Sequence, residues 1–564
     1  MKSTTFFPSA FLITCCLLFG CQSTDNKQAD ELFTQWNSVH TPGVVFAVVK
    51  NGTIIHKQGF GQANLEYGIP ITPTTVFHIA SISKQFTVFA IMLLEKGGKL
   101  SLEDDIRKYI PEFPDFGKTI TLRHLASHTS GLRDQWELLV MAGWRMDDVI
   151  TVENILKLIS RQQQLNFDPG EQFMYCNTGF TLLAEVVARV SGQRFAEFTE
   201  QYIFQPLGMQ NTLFYDDHEK VVKNRAYSYY QDSTGYKKSV LNYANVGATS
   251  LFTTVDDLSR WTTNFYTGQV GDTSIFRTMN TPIVLNNGES MGGALGQFVG
   301  EYKGLNEIQH GGADAGFRTH LSRFPDQQLD VIVFSNDASV NAGWLAHQLV
   351  DIYLADSLEV EPEPVEKAEK ETELDITIEE ETLHSYCGDY ELQPGFIINI
   401  TNDQGQLYAK VPNEPQRSLK PTSNDDFSVD GWDGTVTFPM DSAGEISVLE
   451  LSVGGQKMEA ARVKPLDLSP QDLTEYTGRY YSEELATTYT LTVVDTGLVA
   501  KHIRLSNISL APRKKDIFSG DTWAFGEVSF VRNASDDITG FQVSSGRAKN
   551  ILFTKVKKKP PTNN

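Results

Sequence analysis

An α+β fold followed by two small β-barrels is what this sequence predicts, and three patterns predict it. Strand hairpins at 43–58 and 317–336 bracket a stretch of helical patterns. A segment rich in glutamate, lysine and proline follows Leu354, and beyond it one tyrosine–glycine motif occurs twice, ninety residues apart. At 564 residues the chain is too long for one ordinary core, so about two to four domains are expected.

The first hairpin runs from Val44 to Val49, turns at Asn51-Gly52 and returns from Thr53 to Lys57; Asn-Gly between two such runs is the strongest short hairpin signal. Helical patterns follow at 81–96, stopped by Gly97-Gly98, at 178–191, and at 255–266 with Thr254 as N-cap. The second hairpin pairs Phe317 to Phe324 with Leu329 to Phe334 around Pro325-Asp326. Strands at both ends with helices between predict an antiparallel sheet whose first and last strands pair, plus an inserted helical region. Residues 359–381 read as an exposed acidic linker.

After the linker, Leu383-x-x-Tyr386-x-Gly388-x-Tyr390 returns as Leu473-x-x-Tyr476-x-Gly478-x-Tyr480, and Phe427 and Trp432 find counterparts in Phe518 and Trp523. Two copies make tandem modules, not a solenoid. Their short alternating stretches, such as Phe396 to Ile400 and Tyr489 to Val494, predict small antiparallel barrels over 382–466 and 467–557. Neither module clusters a nucleophile with a base, so both read as scaffold or lid.

The formal net charge of −22 argues against nucleic acid as a partner, because a phosphate backbone would be repelled. At the N-terminus, Lys2 precedes an apolar stretch from Phe6 to Phe19, too short to span a bilayer comfortably. It ends Leu18-Phe19-Gly20-Cys21, which resembles a bacterial lipobox. Residues 1–20 are therefore expected to be a signal peptide. Cys21 is the expected lipidation site, and the protein is expected to be exported to the cell envelope and held at a bacterial membrane. An ordinary cleaved signal peptide is the alternative. Cys176 and Cys387 fall in different domains and give no disulfide framework.

The chemistry starts at Ser81-Ile82-Ser83-Lys84. A spacing of three puts hydroxyl and amine on one face of a helical turn. A serine hydroxyl needs a base to become a nucleophile, and a lysine can be that base if burial or a nearby cation keeps it neutral. Alone, so short a motif reads first as an N-cap and a surface charge. Other segments join it. Tyr175-Cys176-Asn177 stands at a loop-to-helix junction, where a tyrosine can pass protons and an asparagine can hold a substrate carbonyl. His310-Gly311-Gly312-Ala313 is expected immediately before a strand, its glycines letting substrate backbone approach. Leu125 to Leu132, including His128, reads as a supporting turn. The histidines show no metal-ligand spacing and no phosphate loop follows a strand, so neither metal nor cofactor is expected. Lys555 and Lys557 to Lys559 read as a solvated end.

These segments, in this order and with Phe77 to Ala80 and Pro206-Leu207-Gly208-Met209, resemble the serine β-lactamase and penicillin-binding-protein superfamily. The branch is that of class C β-lactamases, D-aminopeptidases and related esterases, and the resemblance covers roughly residues 30–350 within a domain of 21–358. It implies a sheet flanked by helices beside a helical region, with lipocalin-like barrels after it. It implies Ser81 as acylated nucleophile, with Lys84 and Tyr175 sharing base and shuttle duty in an order left open. Asn177, His310 and Gly312 would bind substrate, and the N–H groups of Ser81 and Ala313 would form the oxyanion hole.

Two residues depart from the pattern. His310 stands where a carboxylate-binding lysine is usual, which weakens carboxylate recognition and favours D-aminopeptidase-like relatives whose substrates present an amine. Cys176 stands where serine is common and reads as packing. The expected activity is hydrolysis of a small peptide, amide or ester. A β-lactamase or D,D-peptidase is one alternative, and a non-catalytic envelope-binding lipoprotein another.

Overall fold

The computed structural model describes residues 25–359 and 378–556, less short stretches at 394–395, 412–415, 431–433, 442–443, 454–455, 464–465 and 467. The signal segment, Cys21, most of the 359–381 linker, Trp432 and Lys557 to Lys559 lie outside the described residues. The chain divides into two compact units, the first built from residues up to 132, 146–160 and 167–364, the second from 133–145, 161–166 and the rest.

In the first unit β1 (Val44–Lys50) and β2 (Thr53–Phe60) form the expected hairpin. Asn51 and Gly52 both take positive φ, 51° and 72°, as a tight type I′ turn requires. Helix α1 (Ser83–Lys96), α2 (Asn177–Ser191) and α3 (Val255–Thr267) follow, the last capped by the Thr254 side chain accepting from the Asp257 N–H. Then come β3 (Gly293–Ala294), β4 (Gln297–Tyr302), β5 (Leu305–Asp314), β6 (Phe317–Phe324), β7 (Leu329–Ser335) and α4 (Ala342–Tyr353).

These strands make one antiparallel sheet in the order β3-β4-β5-β6-β7-β1-β2. First and last long strands pair, with Val44 opposite Ser335 and Lys50 opposite Leu329. Strand β1 is buried from Val44 to Val49, the continuous apolar run of a strand covered on both faces. On one face Val44, Phe46, Val48, Val331 and Val333 pack with Leu345 and Leu349 of α4. On the other lies α3, whose Tyr266 hydroxyl donates to Asp330 and whose Trp261 stacks at 4.2 Å on Phe86 of α1. Side chains alternate across the sheet, so neighbouring residues of β5 and β6 serve opposite faces.

The second unit holds two closed eight-stranded barrels, one from Gly388–Gln393 to Gln456–Val463, the other from Gly478–Ser482 to Ile551–Lys555. The sequence repeat is a repeated piece of structure. The Tyr390 hydroxyl donates to the Tyr386 carbonyl at 2.9 Å, and the Tyr480 hydroxyl to the Tyr476 carbonyl at 2.8 Å. Tyr386 meets Phe427 edge-on as Tyr476 meets Phe518. Residues 133–145 carry the helix Gln135–Met141, and Arg133 forms a buried ion pair at 2.5 Å with Glu484 of the second barrel. Lys555 is not part of a solvated tail. It belongs to the last strand, and its ammonium lies over the Tyr480 ring and donates to the Glu475 carbonyl.

Candidate active site

Ser81 sits in a 3-10 turn, Ala80–Ile82, that runs directly into α1, and Lys84 lies one turn on. The helix is buried nearly throughout, so Lys84 is carried into the interior at 0% exposure. Its Nζ lies 3.0 Å from Ser81 Oγ, 2.9 Å from Asn177 Oδ1 and 2.8 Å from the Ala248 carbonyl. An ammonium has three donors and would fill all three directions. A neutral amine would donate to the two carbonyl oxygens and turn its lone pair on the Ser81 hydroxyl. The arrangement therefore accommodates the proton on either partner.

The turn bearing Ser81 is strained and braced. Ala80 has φ of +47°, which costs an ordinary residue about 1–2 kcal/mol. The Ser83 hydroxyl donates to the Ala80 carbonyl at 2.5 Å, the Ala80 N–H donates to His78 Nδ1 at 3.2 Å, and the Thr319 hydroxyl donates to the Ile79 carbonyl at 3.0 Å. His78 is fully buried, and burial together with Arg225 pushes its pKa down to about 3, so the brace is a neutral imidazole. Gly312 of β5 lies against this turn. A Cβ there would come 2.5 Å from the Ile79 carbonyl, so only glycine permits the approach.

Tyr175 and Asn177 flank Cys176, the residue that caps α2. The Tyr175 ring centroid is 4.9 Å from Lys84 Nζ and stacks at 4.2 Å on His128. His128 has φ of +59°; its Nδ1 accepts from the Cys176 N–H, and its carbonyl from the Met174 N–H, each at 2.9 Å. The turn expected to be structural thus clamps the segment that carries Tyr175. Cys176 is buried, its thiol 3.4 Å from the Leu132 carbonyl.

His310 differs from expectation in one respect. The His310 to Ala313 segment lies inside β5, paired with β6 as His310 opposite Leu321 and Gly312 opposite Thr319, and does not merely precede a strand. Its glycines do not break the pairing, because the backbone alone makes the ladder. His310 is 3% exposed, and its Nδ1 donates to the Gly311 carbonyl at 2.6 Å. Nε2 is thereby left as the acceptor, and it is buried without a hydrogen-bond partner among the described residues. Burial and the nearby Lys84 push the ring down to about 3, so it carries no charge at neutral pH.

Ala313 follows, exposed, and then Asp314, whose carboxylate accepts from the Thr249 hydroxyl. Burial raises Asp314 to about 6, against the pull of Thr249 and Lys84. Sequence reasoning missed Ala248, Thr249 and Asp314, and it missed the braces His78, Ser83 and Thr319. The carbonyl of Ala248 belongs to the backbone and leaves no trace in residue type; Asp314 stood one residue beyond a motif already singled out.

A profile described as Beta-lactamase matches residues 29–350, more than half of the chain. The chain belongs to the Beta-lactamase family. It is a serine hydrolase, and its two C-terminal barrels are those expected. Residues 374–462, which take in all but the last residue of the first barrel, match a domain of unknown function, DUF3471. The chain is 27% identical over 456 residues to "Penicillin-binding protein 4*" of Bacillus subtilis (strain 168), covering 78% of this chain and 99% of that one. It is 25% identical over 534 residues to a D-aminopeptidase of Cereibacter sphaeroides, covering 92% and 97%. With a D-aminopeptidase of Gluconobacter oxydans it shares 28% over 299 residues and spans 56% of that relative's length. An octameric penicillin-binding protein homologue from Pyrococcus abyssi shares the fold at a TM-score of 0.53 and 22% identity, covering 78% of this chain and 99% of that one.

Proposed function

We propose that this chain is an exported, lipid-anchored serine hydrolase of D-aminopeptidase type, cleaving an amide next to a free amino group. In the proposed reaction Ser81 Oγ attacks the substrate carbonyl carbon and its proton passes to a neutral Lys84 Nζ. Lys84, with Tyr175 relaying, then returns a proton to the leaving amine, and water hydrolyses the acyl-enzyme. The N–H groups of Ser81 and Ala313 hold the oxyanion. Asn177 acts with two atoms, Oδ1 orienting Lys84 and Nδ2 offered to the substrate carbonyl. Anchoring through Cys21 rests on the Leu18 to Cys21 motif alone.

One observation carries the substrate class: the charge pattern along β5. Where carboxylate-directed relatives would present a lysine, His310 is buried and neutral, while four residues on Asp314 offers a carboxylate. A substrate ammonium suits this strand and a carboxylate does not. The likeness to D-aminopeptidases agrees with this reading. A second reading, acylation by penicillin, is favoured by the likeness to the Bacillus relative over nearly all of that protein.

The test is a panel of kcat/KM values on the purified protein: a D-aminoacyl anilide, its N-acetylated form, a p-nitrophenyl ester and a β-lactam. The proposal requires the free-amine anilide to exceed its N-acetylated form by about tenfold or more, the value of one good ionic contact. Equal rates on both, or faster turnover of the β-lactam, would contradict it; no turnover of any substrate by folded protein would leave a binding lipoprotein as the better account.

A further inference from the structure

The face of β5 and β6 turned away from Ser81 carries a second cluster. His310, Gly312 and Thr319 point toward the Ser81 turn, so alternation sends Glu307, His320 and Ser322 to the other side, where α4 packs. His347 of α4 meets them there. Its Nε2 is 2.9 Å from Glu307 Oε1. The Ser322 hydroxyl donates to the same oxygen at 2.6 Å and lies 2.9 Å from His320 Nε2. One donor atom from each of Glu307, His320 and His347 lies within 4.8 Å of the others.

We propose that Glu307, His320 and His347 form a site for a divalent transition ion of the zinc class, separate from the catalytic residues and joining α4 to the sheet. Two imidazole nitrogens and one carboxylate oxygen suit zinc, cobalt or nickel, with Ser322 Oγ or water at the fourth position. In tetrahedral coordination the donor atoms stand about 3.3 Å apart, so the present spacing of up to 4.8 Å would have to tighten around an ion. His347 turns Nε2 to Glu307 and His320 turns Nε2 to Ser322, and the Tyr302 ring stacks at 3.9 Å on His347. Glu307 and His320 are buried, while His347 is partly exposed and gives an ion a way in.

The electrostatics agree. A buried carboxylate needs a cation beside it. Spacings of 13 and 27 residues match no metal motif, because the ligands come from two strands and a helix.

The experiment strips the purified full chain with a chelator, then titrates it with zinc chloride while metal content and thermal midpoint are read. The proposal predicts one zinc per chain at micromolar or lower Kd, and a midpoint rise of about 5 °C or more at a hundredfold excess over Kd. His347→Gln, at a partly exposed position, should keep its metal-free midpoint within about 2 °C and lose both effects. Glu307→Gln should also lose binding, but it alters a buried group, so His347→Gln carries the decision. No stoichiometric zinc on the wild type, or equal zinc on wild type and His347→Gln, would overturn the proposal.

Discussion

On one face of the β5–β6 ribbon a buried amine, Lys84, has three oxygens within hydrogen-bond distance; on the other a buried carboxylate, Glu307, is met by His347 and Ser322, with His320 beside them. A buried polar or charged group of either kind would cost several kcal/mol if left unpartnered. On the first face one of the groups that Lys84 meets, the Ser81 hydroxyl, can exchange a proton with it. The second gathers a carboxylate, two imidazoles and a hydroxyl about a common centre. As proposed, the same two strands thus serve a site built to move a proton and a site built to hold an ion.

Substitutions on the catalytic face should act on turnover and those on the opposite face on stability. The largest effect is expected for Ser81→Ala, with kcat lower by about 10⁴-fold or more and a thermal midpoint unchanged within about 2 °C, read by steady-state rates and calorimetry. Lys84→Met should lower kcat by about 10³-fold, and combining it with Ser81→Ala should add almost nothing, since the pair acts as a unit. Gly312→Ala pushes a methyl against the Ile79 carbonyl and moves the oxyanion strand from Ser81. We expect about 10²-fold in kcat and about 1–3 kcal/mol in stability by denaturant titration.

A smaller effect comes from pH. Asp314 at about 6 is ionised above that pH and protonated below it, so its attraction for an ammonium is lost as pH falls. The kcat/KM for the free-amine substrate should decline below about pH 6, and Asp314→Asn should abolish that limb. His310, at about 3, should add no inflection between pH 5 and 8. Smallest of all, His347→Gln should leave kcat within about twofold while removing the response to zinc. A loss of turnover as large as that of Gly312→Ala would break the division between the faces.

Much of this was legible in residue order. The Ser81–Lys84 spacing, the Asn51-Gly52 turn and the Tyr386/Tyr476 repeat are local, and local geometry follows from local sequence. The surroundings of Lys84 were harder to read. Asn177 is read from the sequence as a substrate ligand, yet it also holds Lys84 from 93 residues away, and the Ala248 carbonyl could be any residue's. The His310 segment sits inside a strand that its two glycines hid, since glycine lowers strand propensity while leaving backbone pairing intact. Lys555 looked solvated in a run of lysines, but strand closure of the second barrel places it over Tyr480. Glu307, His320 and His347 meet only because strand alternation and the packing of α4 bring them together.

The most direct test of the central claim is labelling with a fluorophosphonate, followed by peptide mass mapping, on wild type, Ser81→Ala and Lys84→Met. A single adduct on Ser81 is expected, absent from Ser81→Ala and formed far more slowly in Lys84→Met. An adduct on another serine, or equal labelling rates in wild type and Lys84→Met, would contradict it.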